Sequence, residues 1–257
     1  MAVSDKSTRL EEPETSPDDT LDEAGLENAR SGAVSRLIMV LMAPQRFFTI
    51  KGWQDGFWVP LLVVAVALAG LKFVQLPELR TRITSPEFRT GLAQERNITE
   101  DEAARMTERM AATAPVYVIV EAPIMIVAGA AGLALALSLI GRIVFKQRVP
   151  YPELFGLASW TGLVAAIPLA LHIPLQLLNP EWILPTNPAA LMPDAWQANY
   201  FARVAMAVDA FLIWQVWLIS LGSSRIFGVT LHRAVSAVGT LFVCFAVLNA
   251  MLTGPKG

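Results

Sequence analysis

The sequence predicts an all-α, multipass transmembrane bundle of five helices preceded by an amphipathic interfacial helix. Three observations carry that reading. Of the 257 residues, 54% are apolar and only 16% are charged, against about 25% charged in ordinary soluble domains, and the mean hydropathy is +0.48. Five stretches, at about 57–76, 115–140, 154–178, 200–221 and 234–253, are long enough to cross a hydrocarbon core of about 30 Å, which takes about 20 apolar residues. Aromatic residues that favour the headgroup level flank several of them, among them Trp53, Phe57, Trp58, Tyr117, Tyr151, Trp182, Trp196 and Tyr200.

Residues 1–32 hold nine acids against Lys6, Arg9 and Arg30, with almost no large apolar side chains. Such a segment cannot offset the entropy of ordering, so it reads as a disordered acidic tail on the cytoplasmic side. It lacks the basic start and apolar run of a secretory signal peptide. The membrane domain then runs over 33–253, with a short tail at 254–257. Residues 33–50 are apolar but short for a span, carry Arg36 and Arg46, and are broken by Pro44, which suits a helix lying in the interface.

Between the first two spans, 77–114 is polar and predicts a helical extramembrane cap. Thr84-Ser85-Pro86-Glu87 has the composition of a helix start, and Thr99-Glu100-Asp101-Glu102 has the spacing of a capping box, in which hydroxyl and carboxylate each satisfy an orphan backbone donor. Orientation follows from the basic residues of the short loops. The second loop holds Arg142, Lys146 and Arg148, the third holds none, and the fourth holds Arg225 and Arg233. That pattern puts loops two and four, and the N-terminus, in the cytoplasm. The arginine-rich first loop runs against it.

Ionisable groups within spans are costly and are functional candidates by default. Glu121, His172 and Asp209 each fall about 9 to 14 Å in from one face at 1.5 Å per residue, and Lys72 and Asn249 fall at similar depth. Glu121 shares its helix stripe with Ala128 and Gly132, His172 with Thr161 and Ala165, and Asp209 with Ala202 and Ser220. Small residues mark where transmembrane helices approach, so these polar groups are expected to face the bundle interior. Two readings follow. Glu121, Asp209 and His172, with Lys72, line a small outward-facing cavity that takes up a proton, cation or polar solute, or they are structural hydrogen bonds and snorkelling side chains. A divalent-metal site is a third, weaker reading, because no ligand pair has a recognisable spacing. Pro123, Pro168 and Pro174 read as kinks, and Trp214 and Trp217 as lipid-facing or packing residues.

The chain resembles the Yip family of Ypt/Rab-interacting membrane proteins, in particular the bacterial proteins that carry a Yip domain, from about Arg36 to Leu252. The residues that carry the likeness are Pro44-x-x-Phe47-Phe48-x-Ile50, the stretch from Lys146 to Trp160 with Tyr151-Pro152-Glu153-Leu154, and Asp209-x-Phe211-x-x-Trp214 leading to Leu218-x-x-x-Gly222. The resemblance implies a five-span core in a bacterial inner membrane, a cytoplasmic N-terminus and no established reaction. The Asp-Leu-x-Gly-Pro signature of eukaryotic members is replaced by Leu41-Met42-Ala43-Pro44, so Rab binding is not carried over.

The expected function is therefore a non-enzymatic scaffold for membrane organisation or partner recruitment, with the bilayer as its first partner and the acidic tail as a docking segment. The alternative is a small transporter built on the Glu121, His172 and Asp209 layer. No cofactor is expected. A lone cysteine, Cys244, excludes an internal disulfide. The serines lack a Gly-x-Ser-x-Gly turn with a base, and no nucleotide or nucleic-acid motif occurs.

Overall fold

The computed structural model describes residues 32–179, 192, 204–205 and 208–252. Among them there is no strand. The acidic tail, most of the third loop, the start of the fourth expected span and the last residues lie outside the described residues.

Helix α1 (Ala33–Met42) ends where Ala43 leaves the helical region, and Pro44 opens the short α2 (Pro44–Phe47). Proline tolerates the first helical turn but cannot continue a preceding helix, so Pro44 is both the stop and the restart. Val40 is fully buried and Arg36 Nη1 donates to the Asp55 carbonyl at 3.4 Å. One stripe of α1, Val34, Ile38 and Met42, stays exposed at 68%, 57% and 78%. That is the two-faced helix expected before the first span.

The first span is α3 (Trp58–Val74), which bends by 52° at Gln75 into α4 (Leu76–Ile83). The polar segment 77–114 is helical, in α4, α5 (Pro86–Arg96) and the first turns of α6 (Glu100–Ile140). Ser85 caps α5 by accepting from Phe88 N, and Asn97 closes it in the left-handed region at φ 53°. The Thr99–Glu102 capping box forms with both reciprocal bonds. The Glu87 carboxyl, in the first turn of α5, is held below the usual carboxylate range by its own backbone N–H and then by the Ser85 hydroxyl.

One helix, α6, serves as both cap and second span and contains Pro115 and Pro123. Pro115 has no N–H to give the Ala111 carbonyl four residues back. Arg80 Nε, from α4, donates to that carbonyl at 3.3 Å. An arginine of the loop that strains the charge rule thus has a structural task.

A π-helical turn (Gly141–Phe145) ends α6, with Lys146 left-handed at φ 58°. The third span is α7 (Tyr151–Gly162), a 3-10 turn (Leu163–Ala165) and α8 (Ala166–Leu178). Pro168 accounts for the break, because its ring crowds the carbonyl of Val164 and it lacks the donor that would bond it. After the third loop come α9 (Ala210–Ile226) and α10 (Leu231–Leu252).

Three helical stretches among the described residues are long and apolar enough to cross a membrane, Glu100–Phe145, Tyr151–Leu178 and Leu231–Met251, and the bent pair Trp58–Val74 with Leu76–Ile83 makes a fourth. Five spans are thus not confirmed among the described residues: α9 has 17 residues and starts at Ala210, later than the expected 200–221. The chain is an all-helical integral membrane protein with three to four spans on the described residues.

The main core lies at the end of the bundle where α2 meets α7 and α9. Phe47, Phe48, Trp53, Leu154, Leu157, Trp160 and Ile219 are buried there. Trp53, expected at the headgroup level, is 6% exposed and packs on Phe47 and Phe48.

Candidate functional site

The intramembrane polar groups divide into two sets. Lys72, in the last turn of α3, forms an ion pair with Glu121 of α6 through Nζ and Oε2. Their side chains are 29% and 25% exposed, so neither is sealed from its surroundings. One turn on, Gln75 Nε2 donates to Gln176 Oε1 of α8 at 2.9 Å. His172 stands four residues before Gln176, on the same side of α8. The bend after α3 therefore sits in a polar layer made with α6 and α8.

Asp209 belongs elsewhere. Its backbone is extended, and its Oδ1 accepts from Leu212 N at 2.6 Å, which makes it the N-cap of α9. A cap satisfies one of the orphan donors at a helix start. The sequence placed Asp209 nine residues inside a span, whereas here it precedes the first residue of α9. Its helix packs on α10, α7, the 3-10 turn and α2, while Lys72, Glu121 and His172 lie on the α3, α6 and α8 side. Lys72 and Glu121 are brought into contact as charge partners, and Asp209 stands apart from them. Among the described residues, no group of three or more His, Cys, Asp or Glu side chains is placed to hold a metal ion.

The small-residue stripe of α6 also behaves differently from expectation. Ala128 and Gly132 are exposed, and a Cβ added at Gly132 would meet nothing within 4 Å. Gly132 faces open space, not a neighbouring helix.

The motif residues converge at the opposite end. The Phe47 ring lies 5.0 Å from that of Trp160 and 5.2 Å from that of Phe48. Gly222 of α9 faces Leu157 and Phe48 so closely that a Cβ there would overlap Leu157 Cδ1 and stand 3.0 Å from Phe48 Cε1. Gly156 faces the Gln54 backbone, with its carbonyl 3.3 Å from a would-be Cβ. Phe227 packs on Phe145 at 5.1 Å and against Gly141. Sequence reasoning did not see that Trp160 meets Phe47 and Gly222 meets Phe48 in this core; the signal was their place in the quoted motifs. The same end carries α1, the 146–150 connection and the 227–230 turn. With them come Arg142, Lys146, Arg148, Arg225 and Arg233, each exposed. The geometry offers an aromatic platform that carries α1, flanked by exposed basic residues.

A family model described as the Yip1 domain matches residues 38–251. No curated protein matches the chain, and no solved structure does.

Proposed function

Because this chain belongs to the Yip1 domain family, we propose that it is a non-enzymatic bilayer organiser that holds an amphipathic helix at the cytoplasmic surface of a bacterial inner membrane. The observation that carries this is the exposed Val34, Ile38 and Met42 stripe on a helix whose other side is fixed by Val40 and Arg36. An apolar stripe at the headgroup boundary enters one leaflet and displaces its lipids. Here the wedge is bolted through Phe47 and Phe48 to the spans, so its depth is set by the fold.

The gathering of the basic loops and α1 at one end supports a cytoplasmic assignment for that end under the positive-inside rule. The acidic tail precedes α1 in the chain and is the candidate docking segment for a protein partner. Coupled transport gains less support, since Glu121 is paired with Lys72 and Asp209 caps a helix.

The test is reconstitution into unilamellar vesicles at rising protein-to-lipid ratio, followed by electron microscopy of vesicle shape. The native protein should tubulate or shrink the vesicles, and Ile38→Glu with Met42→Glu should abolish this without loss of insertion. Unchanged vesicle shape with the native protein would sink the reading. Proton- or cation-driven uptake that disappears in Glu121→Gln would favour the transporter instead.

A further inference from the structure

The end of the bundle that carries Phe47 and Trp160 is basic. Arg46 and Lys51 are exposed there beside the five basic residues that accompany the 146–150 connection and the 227–230 turn. The stretches that build this end, 33–57, 138–160 and 218–240, contain only two carboxylates, Asp55 and Glu153. Among the described residues none of these charges forms an ion pair, since the pair that forms, Lys72 with Glu121, belongs to the other set of polar groups. Such an end attracts anions and repels cations.

A pocket of about 370 Å³ opens into this end between Gln45 of α2, the last turns of α9 and the first residue of α10. Its wall has two characters: Leu221, Val229 and Leu231 are apolar, whereas Gln45, Ser224 and Arg225 are polar. The core pins both sides of the opening. Pro44 and Phe47, which flank Gln45 in α2, are buried, and Phe227 packs on Phe145. Gly228, left-handed at φ 62°, reverses the chain, and the Val229 N–H donates to the Ser224 carbonyl at 3.1 Å. The Ser224 hydroxyl donates to the Leu221 carbonyl at 2.8 Å, so its proton is spent. The side-chain donors left to meet a ligand are the Arg225 guanidinium and the Gln45 amide, neither of which has a side-chain partner among the described residues.

We propose that this pocket seats the headgroup phosphate of an anionic phospholipid, with the Arg225 guanidinium as its charge partner and the Gln45 amide as a second donor. A guanidinium meets phosphate oxygens through two parallel N–H···O bonds. Among the described residues the wall holds no carboxylate to receive the ammonium of a zwitterionic headgroup. The apolar half of the wall favours a lipid over a soluble phosphate, which would leave Leu221, Val229 and Leu231 facing water. Helix α10, long and apolar enough to cross a membrane, begins at Leu231. The pocket therefore stands where a span meets the headgroups, the level at which basic pockets between helices take anionic lipids. A lipid held there ties α2, the base of α1, to the α9–α10 turn.

The purified chain in a nonionic detergent is titrated with dioleoyl phosphatidylglycerol and, separately, with dioleoyl phosphatidylcholine, and bound lipids are counted by native mass spectrometry. One phosphatidylglycerol should bind about tenfold more tightly than phosphatidylcholine, as a hydrogen bond to a charged group provides. Arg225→Gln should erase that preference, and Gln45→Leu should weaken binding about threefold. Arg142→Gln, at the same end but outside the pocket, should change it less than about twofold, within the small effect of an exposed charge. Leu231→Trp, which fills the pocket, should remove binding and carries the test should Arg225→Gln fail to fold. Equal affinity for the two lipids overturns the proposal. So do equal losses in Arg142→Gln and Arg225→Gln, the mark of diffuse attraction to the whole basic end, and so does displacement of phosphatidylglycerol by millimolar inorganic phosphate, the mark of a soluble-anion site. No bilayer is present, so these outcomes are independent of whether α1 deforms vesicles.

Discussion

The indole of Trp160 lies against the Phe47 ring, 5.0 Å between centroids and tilted by 56°. That contact joins the segment before the first span to the middle of the third. Trp160 is 1% exposed and Phe47 is fully buried. Aromatic pairs of this kind add about 0.5–1.5 kcal/mol beyond their area. Helix α1 therefore depends on a core more than a hundred residues downstream, and Trp160→Ala should release α1 to protease at Arg36 while the spans remain inserted.

Gly222 marks the closest helix approach in that core. Gly222→Ala should cost about 1–3 kcal/mol through overlap with Leu157 and Phe48. Gly129→Ala, which meets open space, should be neutral or stabilise by up to about 1 kcal/mol. Thermal unfolding in detergent compares the two, and equal melting temperatures would contradict the packing described.

The Lys72–Glu121 pair should show itself in a double-mutant cycle. Lys72→Met alone leaves a carboxylate without its cation. Because both groups are about a quarter exposed, the loss should be about 1–3 kcal/mol, below that of a fully buried pair. Lys72→Met with Glu121→Met should recover most of it. Additive losses would mean that the two do not act as a pair.

Asp209 offers a test of capping against titration. Asp209→Ala should destabilise by about 1 kcal/mol, whereas Asp209→Asn, which also caps, should retain nearly all stability. Hydrogen exchange at the amides of α9's first turn is the measurement.

Glu87 gives a pH dependence with a definite sign. Its carboxyl is depressed by its own backbone N–H and by Ser85, so its stabilisation of α5 is present above the ordinary carboxylate pKa and is lost as pH falls through the lowered one. Amide exchange in α5 should therefore speed up on acidification. Ser85→Ala should move that transition to higher pH.

Much of the architecture was legible because each feature has a local cause. The Pro44 break, the Ser85 and Thr99 caps and the apolar spans follow from one residue type at one position, or from one run. The polar layer was only half legible. Lys72 and Glu121 share a depth in the sequence arithmetic and do meet, but Asp209 shares that depth only if its helix begins at Tyr200. The described helix begins at Ala210, so the register fails. Stripe reasoning for Gly132 failed for another reason: a small side chain permits a close neighbour but does not supply one.

The apolar spans, the two-faced first helix and the Ser85 and Thr99 caps were decided by the sequence alone, because hydropathy and capping act within a few turns of chain. Which ionisable groups pair, which glycines face a neighbour and which face a void, and where Trp53 and Trp160 lie, were decided only by the tertiary structure. Those outcomes depend on the rotation and offset of helices that are distant in the chain. Side-chain packing sets these, and no local pattern encodes it.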